Sequence, residues 1–452
     1  MRAIVLGSGV AGCAAGLLLS RRGHEVTVLD RSRPPAAQDA DAMFDSWTAE
    51  GIPQHRQPHN FLGLGRAVLR EELPDVYADL LAAGAVEIDQ RVFLGDAQRE
   101  HADDDLLTLA CRRPVFDAVL RRTVPSAQQV EVTGLTVEGG RVTGAQTSDG
   151  AVAADLVVDA LGRGSTVARW LAAAGHPQPD PQESECGLLY YSRHYRVRDD
   201  EPFPPYASIL AGPRGDVGYL AFATFVGDNR TFSLAIMIPP ADRALRELRD
   251  VGAFQRVARL LPTVGPWLEV ADPVTDVIPM GQLRNRLRPA YDVPGLVALG
   301  DARCHTNPTF AFGASLSLAQ AALLAELSVK LPSVDELLAA FNAEVEPDLQ
   351  ERYDAITAED RDRARAWGGE PLDLTDAGQT MPLFLRTVVY RVAPQDPELF
   401  RTVARRVNAL DPVGYLASRE DLLARAKDLY GAMRDTLPAP PRREDLLAAV
   451  RG

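Results

Sequence analysis

The amino-acid sequence predicts an α/β chain: a parallel-sheet dinucleotide fold interrupted by a mostly antiparallel sheet, with a helical region at the C-terminal end. Three observations predict it. A strand, a glycine turn, a helix and a second strand follow one another between Ala3 and Asp30, the βαβ pattern of a parallel sheet. From about residue 185 to 284 the segments are short and rich in aromatic and β-branched residues, the texture of a separate sheet. From about residue 334 onward the sequence is charged and helical in spacing, broken near Trp367-Gly368-Gly369 and from Pro438 to Pro441.

Taken in order, Ala3-Ile4-Val5-Leu6 is an apolar strand. Val10 to Arg22 is an Ala- and Leu-rich helix stopped by Gly23, and Glu25 to Leu29 is the second strand. Residues 51–62 form a loop held by Pro53 and Pro58. Helices are expected from Gly63 to Arg70, Pro74 to Gly84 and Pro114 to Thr123, the last with Pro in its first turn. Val130 to Gly150 reads as two strands joined by Gly139-Gly140, and Leu156-Val157-Val158 as a buried strand ending at Asp159. Tyr219 to Val226 and Thr231 to Ile238 flank the hairpin loop Gly227-Asp228-Asn229-Arg230. Gly295 to Leu299 is another buried strand, followed by a long apolar helix from Phe312 to Leu331. The expected division is a discontinuous dinucleotide domain (1–75, 97–170 and 285–332), a sheet domain for the substrate (76–96 and 171–284) and a C-terminal helical region (333–452).

Bulk properties exclude some classes. A net charge of −14 and a pI of about 5.1 argue against a nucleic-acid partner, which needs a basic face. Positive charge is almost all arginine; Lys330 and Lys427 are the lysines. Cys13, Cys111, Cys186 and Cys304 form no C-x-x-C pair, so neither a metal site nor a redox dithiol is expected. Isolated cysteines, no signal peptide before the first strand and no uninterrupted bilayer-length apolar stretch point to a cytoplasmic protein without an integral membrane segment.

The chemistry begins at Gly7-Ser8-Gly9-Val10-Ala11-Gly12. In a G-x-G-x-x-G turn the first glycine permits the tight strand-to-helix turn. The second lets the backbone approach a pyrophosphate on the helix N-terminus, and the third permits close packing. Asp30 ends the second strand, where an acid can accept from a ribose diol, with Arg31 beside it. This Rossmann-like pattern names a dinucleotide but not which one.

The discriminator lies downstream. Gly295-Leu296-Val297-Ala298-Leu299-Gly300-Asp301 ends a strand in Gly-Asp, and Pro308, Ala311, Phe312, Gly313 and Ala314 lead into the long helix. An acid at that strand end can bond a ribityl hydroxyl. The helix N-terminus can face the flavin N1/O2 edge, where negative charge collects on reduction. These features make the expected dinucleotide FAD.

Here the sequence resembles the FAD-dependent monooxygenases related to para-hydroxybenzoate hydroxylase, in particular the actinobacterial epoxidase-like tailoring enzymes. Pro53-Gln54-His55-Arg56-Gln57-Pro58-His59 resembles that branch's P-Q-x-R-H-x-H loop, with Gln57 in place of the first family histidine. Arg113-Pro114-Val115-Phe116-Asp117-Ala118-Val119-Leu120 resembles its R-P-x-L-x-x-x-L helix start. The resemblance implies that Arg56 and Arg113 lie along the FAD. Asp159-Ala160-Leu161-Gly162-Arg163-Gly164-Ser165 stands where aromatic hydroxylases have G-A-D-G-x-x-S, so Leu161 replaces the family aspartate. That departure opens the choice of electron donor between NAD(P)H used directly and a separate flavin reductase. The family's P-x-x-G-Q-G is here Pro308-Thr309-Phe310-Ala311-Phe312-Gly313, less polar around the flavin.

The resemblance implies a monooxygenase, hydroxylase or epoxidase, in which reduced FAD and O2 form a C4a-hydroperoxide that oxygenates a largely apolar or aromatic small molecule, a role suited to natural-product biosynthesis. Neither a catalytic triad nor a metal is required, and no catalytic residue is assigned. The substrate is expected between the flavin and one face of strands 219–226 and 231–238. Tyr190, Tyr191, Arg193 and Tyr195 form a dense polar-aromatic stretch, and Cys304 and His305 sit beside the flavin loop. A structural role is the expectation for His55, His59 and His305. Three alternatives stand beside this reading: a reductase resembling geranylgeranyl reductases, a flavin halogenase and a non-catalytic flavin-binding protein. The halogenase W-x-W-x-I-P motif is absent.

Overall fold

The computed structural model describes residues 1–32, 39–47, 54–124, 127–436 and 439–452. Its frame is β1 (Arg2–Leu6), α1 (Val10–Arg21), β2 (Glu25–Asp30), α2 (Arg113–Arg122), β3 (Ala127–Gln129), β4 (Leu156–Asp159), β5 (Leu296–Ala298) and α3 (Phe312–Lys330). The five strands form one parallel sheet in the order β5-β4-β1-β2-β3. Register aligns Leu6 with Leu29 on one side and with Asp159 on the other, and Ala298 with Asp159. The carboxyl ends of β1, β2, β4 and β5 therefore share one edge, where an open parallel sheet binds its ligand.

Helix α3 is long and apolar enough to cross a membrane by composition. Its Leu318, Ala321, Leu324 and Ala325 are instead buried in one core with Leu17 and Leu18 of α1, so its apolar character serves the interior. The helix Pro74–Ala82 puts Val76 and Leu80 into that same core. Of the segment 76–96 expected with the antiparallel sheet, this helix joins the core of the parallel sheet, while Ile88 packs in the core of the antiparallel one. The segment 132–153 is a three-stranded meander, not a pair. Gly139 and Gly140, with φ of 57° and 78°, make its first turn.

The antiparallel sheet runs Arg214–Asp216, Ala221–Val226, Thr231–Ile238, Leu189–Val197, Ala271–Pro273. Alternation gives it two faces. Tyr191, Tyr195, Phe222, Phe232, Leu234 and Ile236 pack against the helical segment 245–268 and the last helix, Arg443–Arg451. Tyr190, Ala221, Ala223, Ala235 and Met237 face the other way, with Phe225 and Trp367 packed against them. The hairpin is anchored by Asp228, whose buried carboxylate accepts from the Arg112 backbone N–H at 2.7 Å and from its Nε at 2.9 Å. Arg112 in turn reaches Asp41 at 2.8 Å.

Helix α4 (Val334–Trp367) is part of the frame, not an appendage: Leu337, Phe341, Leu349 and Tyr353 are buried in the α1–α3 core. Beyond it, a smaller helical core gathers Phe384, Val388, Leu399, Phe400 and Leu416, and takes in Leu94 and Leu106. One turn of this bundle, Leu385–Val389, is a π-helix.

Candidate functional site

A cleft of about 650 Å³ opens beyond the strand ends, floored by the glycine turn. Gly7 has φ +96°, and a Cβ there would stand 2.6 Å from the Ala160 carbonyl oxygen of β4's extension. A Cβ on Gly12 would stand 1.9 Å from the Gly7 oxygen. These two glycines let α1 start tight against the sheet. A Cβ on Gly9 would meet nothing within 4 Å, and Gly9 lines the cleft. The start of α1 has no side-chain cap, so the backbone N–H groups of its first turn, with Val10 and Ala11 on the cleft wall, remain to meet an anion.

Asp30 lies on the wall of this cleft, and its oxygens are already engaged. Oδ2 accepts from the backbone N–H and hydroxyl of Ser8, each at 2.7 Å, and Oδ1 from Ser32 N–H at 2.6 Å. Burial opposes ionisation, but the hydrogen bonds from Ser32 and Ser8 prevail and hold the carboxyl below its ordinary range. Arg31 lines the same end.

At its other end the cleft meets an inner cavity of about 100 Å³. Gln54, Arg113, Arg163, Asp301, Gly313 and Ala314 line both. The Asp301 carboxylate has no hydrogen-bond donor or ion-pair partner among the described residues. Burial raises its pKa, with Arg113, Arg163 and Arg288 opposing. The start of α3 also lacks a side-chain cap. Ala311 precedes it in the left-handed conformation, φ 58°, a backbone shape that favours glycine. An anion-accepting helix start, a strand-end acid, an unpartnered acid and a second open helix start thus lie in sequence along one groove. They fit the pyrophosphate, ribose, ribityl chain and flavin edge of FAD.

Residues 5–69 match the NAD(P)-binding Rossmann-like domain family. Protein Rv3254 of Mycobacterium tuberculosis is 26% identical over 353 residues, 71% of this chain and 71% of that protein. The flavin-dependent brominase Bmp2 is similar in structure with a TM-score of 0.62, at 17% identity over 97% of this chain and 100% of its own. HpxO of Klebsiella pneumoniae, solved as a variant complexed with FAD, has a TM-score of 0.59 at 15% identity, over 92% and 100%. PqsL of Pseudomonas aeruginosa has a TM-score of 0.60 at 15% identity, over 82% and 99%. This chain has the fold of the FAD-dependent monooxygenases.

Within this flavoprotein fold, Gly7, Ser8, Gly9, Val10, Ala11, Asp30 and Arg31 line the cleft, while Gly12 packs beneath it. Arg113, Asp301, Gly313 and Ala314 stand at the junction; Pro308, Ala311 and Phe312 line only the inner cavity. Arg56 is not brought to either. Its guanidinium lies over the Phe44 ring, 4.6 Å from the centroid, and faces Asp45 at 3.6 Å. The loop presents Gln54 to the cleft instead. Pro53 of the same loop is outside the described residues. Gln54 lies two residues before Arg56 in the same motif. Leu161 and Arg163 also line the cleft. Their motif lacks the family aspartate, and Asp159 at its start shapes the turn. That buried carboxylate accepts from Leu161 N–H at 3.1 Å, Ser165 Oγ at 2.5 Å and Tyr291 OH at 2.7 Å. The turn so closed presents Arg163 to both cavities.

The sheet contributes less to the inner cavity than expected. Phe225 from one predicted strand and Tyr190 from the strand Leu189–Val197 line it; the strand Thr231–Ile238, which lies between those two, does not. Tyr191 and Tyr195 face away into the other core, and Arg193 donates to the Thr275 carbonyl at 2.9 Å. His59 and His305 line the cavity. Burial and then Arg113 push His59 down to about 3; burial, Arg288 and Arg163 do the same for His305. Both are neutral at physiological pH. His59 donates from Nδ1 to the Gln57 carbonyl at 2.8 Å, leaving Nε2 to accept from Arg113 at 3.3 Å.

Proposed function

We propose that the protein is an FAD-dependent monooxygenase that places one atom of O2 into a small molecule with a largely apolar or aromatic body. The observation that carries this reading is the meeting of a dinucleotide cleft with a small aromatic-walled cavity at Asp301, Gly313 and Ala314. Bound and reduced, FAD supplies the electrons and activates the oxygen. The rest falls to the chain. The first turn of α1 holds the pyrophosphate, and Asp301 accepts from the ribityl chain. The N-terminus of α3 stabilises negative charge at the flavin's pyrimidine edge. Phe225, Phe312 and Tyr190 keep water from the substrate, so that the reactive oxygen meets the substrate rather than solvent. His59 and His305, neutral and fixed, add no competing acid there. Hydroxylation and epoxidation, and a place in natural-product biosynthesis in the cytoplasm, are the finer parts of this proposal.

The electron donor follows from Leu161. The absence of the family aspartate there favours a separate flavin reductase over direct NAD(P)H use. Purified protein should be yellow. NADPH added anaerobically should bleach the flavin only when a reductase is present, and O2 uptake should match product oxygenation. Fast bleaching by NADPH alone would rule out the two-component form. Substrate reduction without O2 uptake would instead assign the reductase reading.

A halogenase reading draws support from the likeness to Bmp2, which extends over 97% of the chain. The chemistry of that class uses a lysine to handle hypohalous acid. Lys330 is exposed at the far end of α3, paired with Glu326, and Lys427 is exposed on the helix Glu420–Met433. Neither lines the cavities, and oxygen transfer remains the better reading.

A further inference from the structure

Arg352 is a buried cation on α4 for which the flavin reading has so far had no use. With Leu349 and Ile356 of the same helix it lines the inner cavity, which Gly313 and Ala314 at the open start of α3 line as well. Its guanidinium carbon lies 5.1 Å from the centroid of the Phe312 ring, a cation–π contact with the first residue of α3. Phe312 in turn stacks with Phe310 at 6.2 Å. The Arg352 Nε donates to both oxygens of Asp348, one turn earlier on α4, at 2.9 and 2.8 Å. Its Nη1 is sealed from solvent and meets no acceptor among the described residues. An orphaned buried donor on a cavity wall calls for a partner in that cavity.

The ion pair is lopsided. The Arg352 side chain is 5% exposed and that of Asp348 40%. Water and salt screen the carboxylate, and the buried guanidinium is screened far less. The pair therefore turns its positive end to the interior. The open start of α3 offers roughly half a positive charge, and Arg352 adds a whole one beside it. Phe312 is apolar where the family loop is polar, so the loop itself brings no side-chain donor there. Two-electron reduction of FAD with uptake of one proton leaves one negative charge, which collects at the pyrimidine edge. We propose that Arg352 makes the site prefer reduced to oxidised FAD, so that a helix of the C-terminal region sets the redox poise of the flavin. The inference rests on the FAD reading and not on the substrate that the flavin serves.

The test uses the full chain, stripped of FAD and titrated anaerobically with oxidised and with dithionite-reduced FAD. The midpoint potential of the bound flavin is read against a redox dye. The wild type should bind reduced FAD at least about tenfold more tightly than oxidised FAD, which lifts the midpoint by about 30 mV over that of free FAD. Arg352→Gln should leave the affinity for oxidised FAD within about twofold and abolish most of the preference for the reduced form. Arg352→Lys should keep part of it. Asp348→Asn, at the exposed end of the pair, should move the midpoint the opposite way, upward, because the buried cation loses its counter-charge. A preference that survives in Arg352→Gln overturns the proposal. So does an equal loss of affinity for both redox forms, the mark of an arginine that only holds the fold. Should Arg352→Gln not fold, Asp348→Asn decides alone, and a midpoint that stays or falls overturns the proposal. A wild type that takes up neither form sinks the flavin reading and this inference together; one that binds both forms equally sinks only this inference.

Discussion

The side-chain amide of Asn307 donates to the carboxylate of Asp360 across 2.6 Å, both residues being buried. Asn285 completes the arrangement, donating to the other Asp360 oxygen at 2.8 Å while its own oxygen accepts from the Asn307 N–H at 2.6 Å. Arg363 adds a bond to Asp360 at 2.6 Å. Asn307 in turn accepts from Thr309 N–H at 3.1 Å, capping the turn that leads to Ala311 and the start of α3. A carboxylate on α4 thus holds the loop proposed to face the flavin.

Asp360→Ala should weaken FAD binding, read by flavin fluorescence, and shift the flavin's midpoint potential. It should also cost about 3–5 kcal/mol of stability, because Arg363 is left buried and unpaired. Asp360→Asn should restore part of the FAD affinity. Truncation at Ser333 should yield insoluble protein, since it strips Leu337, Phe341 and Leu349 from the central core. A soluble, FAD-binding truncation would contradict this account of α4.

Gly9 and Gly12 should behave differently under substitution. Gly12→Ala drives a Cβ into the Gly7 carbonyl and should destabilise the fold by more than about 2 kcal/mol. Gly9→Val points into open cleft and should leave the Tm of FAD-free protein unchanged, while FAD affinity falls at least about tenfold, or 1.4 kcal/mol. Equal loss of stability in both variants would refute the division of roles.

Asp228→Ala should cost about 1–3 kcal/mol in urea denaturation, because the buried Arg112 keeps its pair with Asp41 but its backbone N–H and Nε lose their acceptor. Arg112→Ala together with Asp228→Ala should recover part of that loss, which a double-mutant cycle measures.

His194 should make stability pH-dependent. Burial holds it down to about 4, and its Nε2–H donates to the Arg56 carbonyl at 3.0 Å. The unfolded chain, with a histidine near its ordinary pKa, binds the proton first as pH falls from 7 toward 4, so the native state loses stability in that window. The contribution lost by pH 5 is about 1–2 kcal/mol. His194→Asn should therefore flatten the fall in Tm between pH 7.5 and pH 5; an unchanged slope would place the proton elsewhere.

The glycine turn, the strands either side of it and the strand ending at Gly300-Asp301 were legible because each is a local pattern. Backbone sterics require glycine at Gly7 and Gly12, and apolar runs bounded by turn residues mark the buried strands. Arg56 and Arg113 were equally visible as motif residues, yet only Arg113 reaches the cleft. Phe44 and Asp45 draw Arg56 away, and nothing near Arg56 in the chain encodes that contact beyond a helix whose packing must first form.

By itself the sequence determined the dinucleotide turn, the parallel order of α and β elements and the strand-end acids, since these depend on neighbours a few residues apart. Only the tertiary structure decided that Asp301 meets the start of α3 without a partner. It likewise decided that Asp360 holds Asn307 from a helix of the C-terminal region. Each of these depends on which side chains converge once the layers pack, and pairing or isolation at that distance is set by the packed core rather than by any periodicity along the chain.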